Sequence, residues 1–225
     1  MLRLILSTIL FFAVSSASAS MTLGATRVIY EGEKKEASIS LVSKGEDIPY
    51  LVQSWVTKFG DKNKDTPFIV TPPLFKLNSD TESLIRVSYV KETLPQDRES
   101  LFSLNVSAIP AIDKNQNSRI LIATKSIVKL IYRPAALSNN DAALAYEKVT
   151  AVRGNGVIQL HNPTPYYINV AMLKADGKEV GDIGPLAPFS DKTITRISNS
   201  ARNISLKSIN DYGGLTSERT ISIKG

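Results

Sequence analysis

The chain has 225 residues, no cysteine, a single histidine and a formal net charge of +6. This composition excludes disulfide-stapled scaffolds, cysteine nucleophiles and multi-histidine metal centres, and it fits globular material of one or two domains. The positive charge is spread along the chain instead of forming a basic run interleaved with aromatics, so no nucleic-acid partner is expected.

The first segment, MLRLILSTILFFAVSSASA, carries a basic residue at Arg3, an apolar run from Leu4 to Val14 and the small-residue ending Ala17-Ser18-Ala19. That order is expected of a cleaved secretory signal over residues 1–19, with a mature chain beginning near Ser20. Nothing later is apolar for long enough to span a bilayer, so no membrane insertion is expected. The roughly 200 remaining residues suffice for a core that needs no disulfide, most naturally as two domains of about 100 residues each.

Short strands separated by turn residues fill the first half. ATRVIY precedes the polar turn EGEKK, and EASISLV alternates Ala37, Ile39 and Leu41 with Ser38 and Ser40, the pattern of a half-buried strand. PYLVQSWVTK ends in the loop residues GDKNKD. FIVTPPLFKL reads as a strand carrying Pro72-Pro73, which mark an edge, a kink or a change of sheet, because proline cannot donate to a ladder. SLIRVSYV and LFSLNVSAI again place alternate apolar residues on one face. RILIATKSIVKLIYRP begins with three consecutive apolar residues and then repeats Lys125, Lys129 and Arg133 four apart. A strand that is apolar on both faces at its start implies a partner over the face away from the core. About seven strands in a hundred residues, with no convincing helix, predict an immunoglobulin-like sandwich.

Pro134 ends this run, and Ser138–Asp141 read as a boundary. Beyond it NGVIQLH, YYINVAML, KTITRIS, NISLKSIN and RTISIKG predict a second, smaller sandwich or barrel, giving divisions at 20–138 and 139–225. The fold class expected is therefore all-β with two immunoglobulin-like β-sandwich domains.

Catalytic signals are lacking. No phosphate loop, dinucleotide fingerprint or Gly-x-Ser-x-Gly occurs, and His161 at a strand end reads as hydrogen-bonded or exposed. Asp80, Glu82, Glu92, Asp97 and Glu99 read as solvated loop carboxylates. Trp55 reads as core and Phe59 only as a conceivable platform with it. No catalytic residue, metal site or cofactor is expected, and the protein is expected not to be an enzyme.

The blocks ATRVIYEGEKKEASISLV, PYLVQSWV, TPFIVTPPLFKL, LPQDRESLFSLNVSAIP, VKLIYRPAAL, NPTPYYINV and INDYGG, in this order and spacing, resemble the periplasmic chaperones of the chaperone-usher pilus pathway. The resemblance runs from about Thr22 to Gly214. It implies two immunoglobulin-like domains set at an angle around a cleft, periplasmic localisation, pilin subunits as partners and delivery to an outer-membrane usher. It implies that Arg27 and Lys129 anchor the C-terminal carboxylate of a pilin. It also implies that Ile120, Ile122 and Thr124 are donated to the subunit's groove in donor-strand complementation, and that Glu99, Arg133 and Asp211 form a salt-bridge network between the domains. The third donor position is usually apolar in the family. Thr124 departs from this, which means either a shallow pocket or a register in which Leu121 contributes. An uncovered apolar edge makes self-association through the donor strand a further expectation. The alternative reading is a pilin-like or adhesive surface protein built of immunoglobulin-like domains; a hydrolase on a sandwich scaffold would need a clustered site that the sequence does not display.

Overall fold

The computed structural model describes residues 20–45, 49–91, 94–111, 122–154, 156–195, 197–198 and 200–225. The segment 1–19, Glu92, Ile120 and Leu121 lie outside the described residues.

Among the described residues, nine strands make the first half: β1 (Ser20–Leu23), β2 (Arg27–Glu31), β3 (Ala37–Lys44), β4 (Tyr50–Lys58), β5 (Phe68–Thr71), β6 (Leu74–Leu77), β7 (Glu82–Tyr89), β8 (Ser100–Pro110) and β9 (Thr124–Arg133). They form one sheet in the order β1-β3-β7-β5 and a second in the order β2-β9-β8-β4-β6. Their inner faces share a core in which Leu41, Val52, Ile85, Leu104 and Leu130 are inaccessible to solvent. Each such side chain contributes about 1.5–3 kcal/mol by leaving water. One end of this core is aromatic: Tyr30, Phe68, Tyr89, Phe102 and Tyr132 pack with ring centroids 4.8–6.5 Å apart. The Tyr30 hydroxyl stays satisfied there, donating to the Lys35 carbonyl and accepting from the Tyr89 N–H.

Pro72-Pro73 separate β5 from β6, and these two strands belong to different sheets, β5 pairing with β7 and β6 with β4. Of the three roles open to the proline pair, the change of sheet is the one adopted. Trp55 differs from expectation. Val52 and Val56 of β4 are buried in the core, so the pleat turns Trp55 to the outer face, where it is half-buried with the ammonium groups of Lys64 and Lys125 about 5 Å from its ring.

Between the halves, the residues read only as a boundary form a short helix, α1 (Asn139–Leu144). The Ser138 side chain accepts from the Asn140 N–H, capping it, and a 3₁₀ turn, Ala145–Lys148, follows. The second half contains β10 (Thr150–Gly154), β11 (Val157–Asn162), β12 (Ile168–Ala175), β13 (Lys178–Glu179), β14 (Pro185–Leu186), β15 (Ser190–Ile194), β16 (Asn203–Ser208) and β17 (Arg219–Lys224). Their ladders run in the order β13-β12-β16-β17-β10-β11-β15, with β14 beside β12 and a parallel β10–β17 pair. They enclose a separate core around Val149, Leu160, Ile204 and Leu206. The protein is nearly all-β, with two immunoglobulin-like domains. His161 is partly exposed and its Nδ1 lies 2.8 Å from Asp191 Oδ1.

Candidate functional site

The site follows from the parallel pairing of β2 with β9, which sets Arg27 beside Lys129, Ile29 beside Ile131 and Glu31 beside Arg133. Val28, Tyr30, Leu130 and Tyr132 fill the core, so the alternation sends these six residues to the other face. At the Arg133 end that face meets the second domain across a cavity of about 300 Å³, lined by Ile29, Ile131 and Arg133 on one side and Tyr167, Asn169 and Asp211 on the other.

Arg133 is 2% exposed. Its Nε donates to Glu99 Oε1 at 2.7 Å, and its two terminal nitrogens donate to Asp211 Oδ2 at 2.8 Å and Oδ1 at 3.2 Å, the planar fork that only arginine supplies. It also donates to Asn139 Oδ1, while Asn139 Nδ2 donates to Glu31. The second oxygen of Glu99 accepts the Tyr167 N–H at 2.7 Å. The structure thus brings Glu99, Arg133 and Asp211 together and ties strands of the first domain to the second. Burial pushes the Glu99 carboxyl up, opposed by the Arg133 charge and the Tyr167 N–H. For Arg133, burial pulls the guanidinium down, but Asp211 and Glu99 outweigh it and the net direction is up. The loop that presents Asp211 is built locally: Asn210 Oδ1 accepts from the N–H groups of Tyr212 and Gly214. Gly213, in the left-handed region with φ 87°, packs where a Cβ would stand 2.7 Å from Thr26 Oγ1.

Four residues back along β9 the cations have no such partners. Arg27 is buried, and its Nη1 donates to the Ile209 carbonyl at 3.2 Å, yet its Nε has no hydrogen-bond partner. The half-buried Lys129 has its ammonium 6.0 Å from the Phe59 ring centroid. Among the described residues neither joins an ion pair. Burial pulls the Arg27 guanidinium down, Asp211 opposing it from a distance. Burial also pulls Lys129 down, reinforced by the Arg27 charge and opposed by Asp182. Two cations held side by side in a partly dry setting, with donors to spare, are chemically able to accept an anion.

The start of β9 is also incomplete. β8 pairs with β9 from Ser100↔Tyr132 to Ala108↔Thr124, all of β9 but its last residue, whereas β2 meets β9 only from Lys129 onward. Among the described residues, 124–128 therefore present an open strand edge. Thr124 is exposed and Ile122, just before the strand, is 71% exposed; they share the parity of Val128 and Leu130, which reach back into the core. Ile120 falls outside the described residues. The sequence reading did not identify Asn139, the Tyr167 N–H or the Ile209 carbonyl. The last two are backbone groups, which no residue type signals.

The chain matches two family models. One, for the pili and flagellar-assembly chaperone PapD N-terminal domain, covers residues 20–138, and the other, for the pili assembly chaperone PapD C-terminal domain, covers residues 144–220. It is 42% identical over 209 residues to the Escherichia coli K12 chaperone protein FimC, covering 91% of this chain and 85% of that one. It is 37% identical over 217 residues to the Escherichia coli chaperone protein FocC, covering 94% of each. Among solved structures it resembles a chain of the Salmonella enterica SafA pilin–SafB chaperone complex, with a TM-score of 0.79, 29% identity and coverage of 92% and 98%. The Escherichia coli chaperone DraB gives a TM-score of 0.77 with 33% identity and coverage of 92% and 97%. With two sandwiches matched in order and an unsatisfied cation pair beside an open strand edge, the chain belongs to the pilus assembly chaperone family.

Proposed function

We propose that this protein is a periplasmic, non-enzymatic chaperone that binds pilin subunits by donor-strand complementation and passes them to an outer-membrane usher. In this reading residues 1–19 are the export signal, 20–138 form the domain that donates the strand, and 139–225 complete the cleft. The carrying observation is the placement of Arg27 and Lys129, two cations that join no ion pair among the described residues, directly beyond the open edge at 124–128. A subunit's C-terminal carboxylate accepts from Arg27 and from the Lys129 ammonium, and each such charge-assisted bond is worth about 1.5–3 kcal/mol. The anion also relieves the repulsion between the two cations.

From that fixed point the subunit's unpaired strand edge runs along β9, bonding to the free backbone groups at 124–128, while Ile120, Ile122 and Thr124 enter its incomplete core. That groove and its unpaired strand edge are costly to leave bare in the free subunit, which would otherwise pair with other edges and aggregate. No bond is made or broken by the chaperone. Release to the usher draws on the subunit's later, better-packed pairing with another subunit. Arg27→Ala or Lys129→Ala, expressed with the wild-type subunits and extracted from the periplasm, is expected to abolish co-purification of a pilin. Recovery at wild-type yield overturns the anchor.

A further inference from the structure

The outward face of the five-stranded sheet continues past the cation pair, and its rows can be read from the strand register. Lys129 lies opposite Ser103, which lies opposite Thr57; Ile127 lies opposite Asn105, then Trp55. Lys125 faces Ser107, then Gln53 and Leu74, while Ile109 faces Leu51 and then Lys76. Away from the Arg133 end, Ile127, Leu74, Leu51 and Ile109 are all exposed on this face, Ile127 by 59%. Four large exposed apolar side chains therefore share one side of one sheet, the kind of surface that serves contact with a partner.

Its charge is equally one-sided. Lys125 and Lys64 place their ammonium groups 5.0 and 5.1 Å from the Trp55 ring centroid, and Lys76 lies on the edge strand. Among the described residues none of these three lysines joins an ion pair. No carboxylate stands in the rows just traced. Among the described residues the acids near this face stand at its margins: Glu31 beyond Arg133, Asp61 and Asp65 in the loop that carries Lys64, and Asp182 of the second domain near Lys129.

We propose that this face, centred on Trp55 and Lys125, is a second contact surface for the body of the captured subunit and favours subunits with an acidic, apolar-patched flank beside the groove. The inference rests on the function proposed above and adds to it the chemistry of selection. Continuity carries it: a subunit that takes Ile122 and Thr124 into its groove and ends at Lys129 lies along about 20–25 Å of strand. Lys125 and Ile127 sit within that span, with their side chains on the other face of the same strand. A subunit wall that reaches around the open edge meets Ile127 first and then Trp55. A carboxylate placed between Lys64 and Lys125 bonds to either ammonium and relieves their mutual repulsion across the indole.

The probe is the pilin recovered with the wild-type chaperone in the co-purification above, purified, denatured in urea and diluted into chaperone. For Lys125→Glu combined with Lys76→Glu, two exposed positions whose change leaves the core intact, affinity is expected to fall about tenfold at low salt, with the gap closing at high salt. Trp55 is the sole tryptophan, so 5-fluorotryptophan-labelled chaperone is expected to shift its single ¹⁹F resonance when the subunit binds. Equal affinity of the double variant and wild type at every salt concentration, with capture still abolished by Arg27→Ala, overturns the second surface and leaves the function standing. Capture that survives Arg27→Ala as well overturns the anchor reading on which it rests. A concentration-dependent dimer of the free protein that Lys125→Glu disrupts, with subunit affinity unchanged, assigns the face to a second copy of this chain and likewise overturns the proposal.

Discussion

Arg133 and the Arg27–Lys129 pair stand on the same face of the same two strands, four residues apart along β9, and differ in one respect. Arg133 has two carboxylates, an amide and both domains around it, so its charge is answered within the chain. Arg27 and Lys129 have a carbonyl, an aromatic ring and each other. Burying a cation is tolerable when it is paired and costly when it is not, so the first centre belongs to the architecture and the second is the one we propose to take a charge from outside. The contrast continues down the strand. Leu130 and Tyr132 are buried in their own core, whereas Ile122 is left in water.

The sharpest way to break the contrast is to remove the satisfied cation. Arg133→Met strands Glu99, 3% exposed, without its counter-ion and unlinks Asp211 from the first domain. Losing one partner of a buried pair costs about 3–5 kcal/mol, expected here as a much lower urea midpoint. A midpoint within experimental error of wild type shows that the network does not hold the domains together.

Removing the unsatisfied cation is expected to act in the opposite sense. Lys129→Met keeps the aliphatic stem and sheds a charge that burial and Arg27 both disfavour, so stability at neutral pH is expected to stay level or rise while subunit capture is lost. The pH dependence has a defined sign. A lysine whose folded value is depressed adds its stability above the ordinary lysine range and loses it as pH falls through the depressed value. The wild type is therefore expected to gain on the Met variant as pH rises through that alkaline window. A Met variant clearly less stable than wild type at pH 7 means that Lys129 is a structural cation after all.

Much of this could be read from the chain because strands announce themselves by alternation. Ile39 and Leu41, Ile85 and Val87, and Phe102 to Ala108 turn inward as their spacing requires. The same alternation in LVQSWV placed Trp55 outside, opposite in phase to Val52 and Val56; habit about single tryptophans obscured it. β10 escaped because TAVRG is short and ends in glycine, and α1 because its capping serine also suits a boundary. β8 misleads in another way. Leu101, Ser103 and Asn105 are buried on the face that should be solvated, because charged and aromatic side chains of neighbouring strands lie over it. The Arg133–Asp211 pair spans 78 residues and has no local signature. Only the ordered blocks shared with a family brought those positions into one picture.

The smallest expected effect, and the finest extension of the contrast, concerns Thr124, where an unanswered apolar row meets a hydroxyl. Thr124 is exposed on the open-edge half of β9, so Thr124→Ile is expected to leave the urea midpoint unchanged. If position 124 enters a subunit pocket, isoleucine adds about one buried methylene and removes a hydroxyl that has to be desolvated. That amounts to about 1 kcal/mol and roughly fivefold tighter capture. If the register instead brings Leu121 into the groove, Thr124→Ile leaves affinity unchanged and Leu121→Ala weakens it. The paired measurement separates the two registers. It also bears on why the hydroxyl is there: a third apolar residue on a bare edge gives two free chaperones more surface to bury against each other, so a rise in self-association with Thr124→Ile shows threonine limiting that pairing at the expense of some affinity for the subunit.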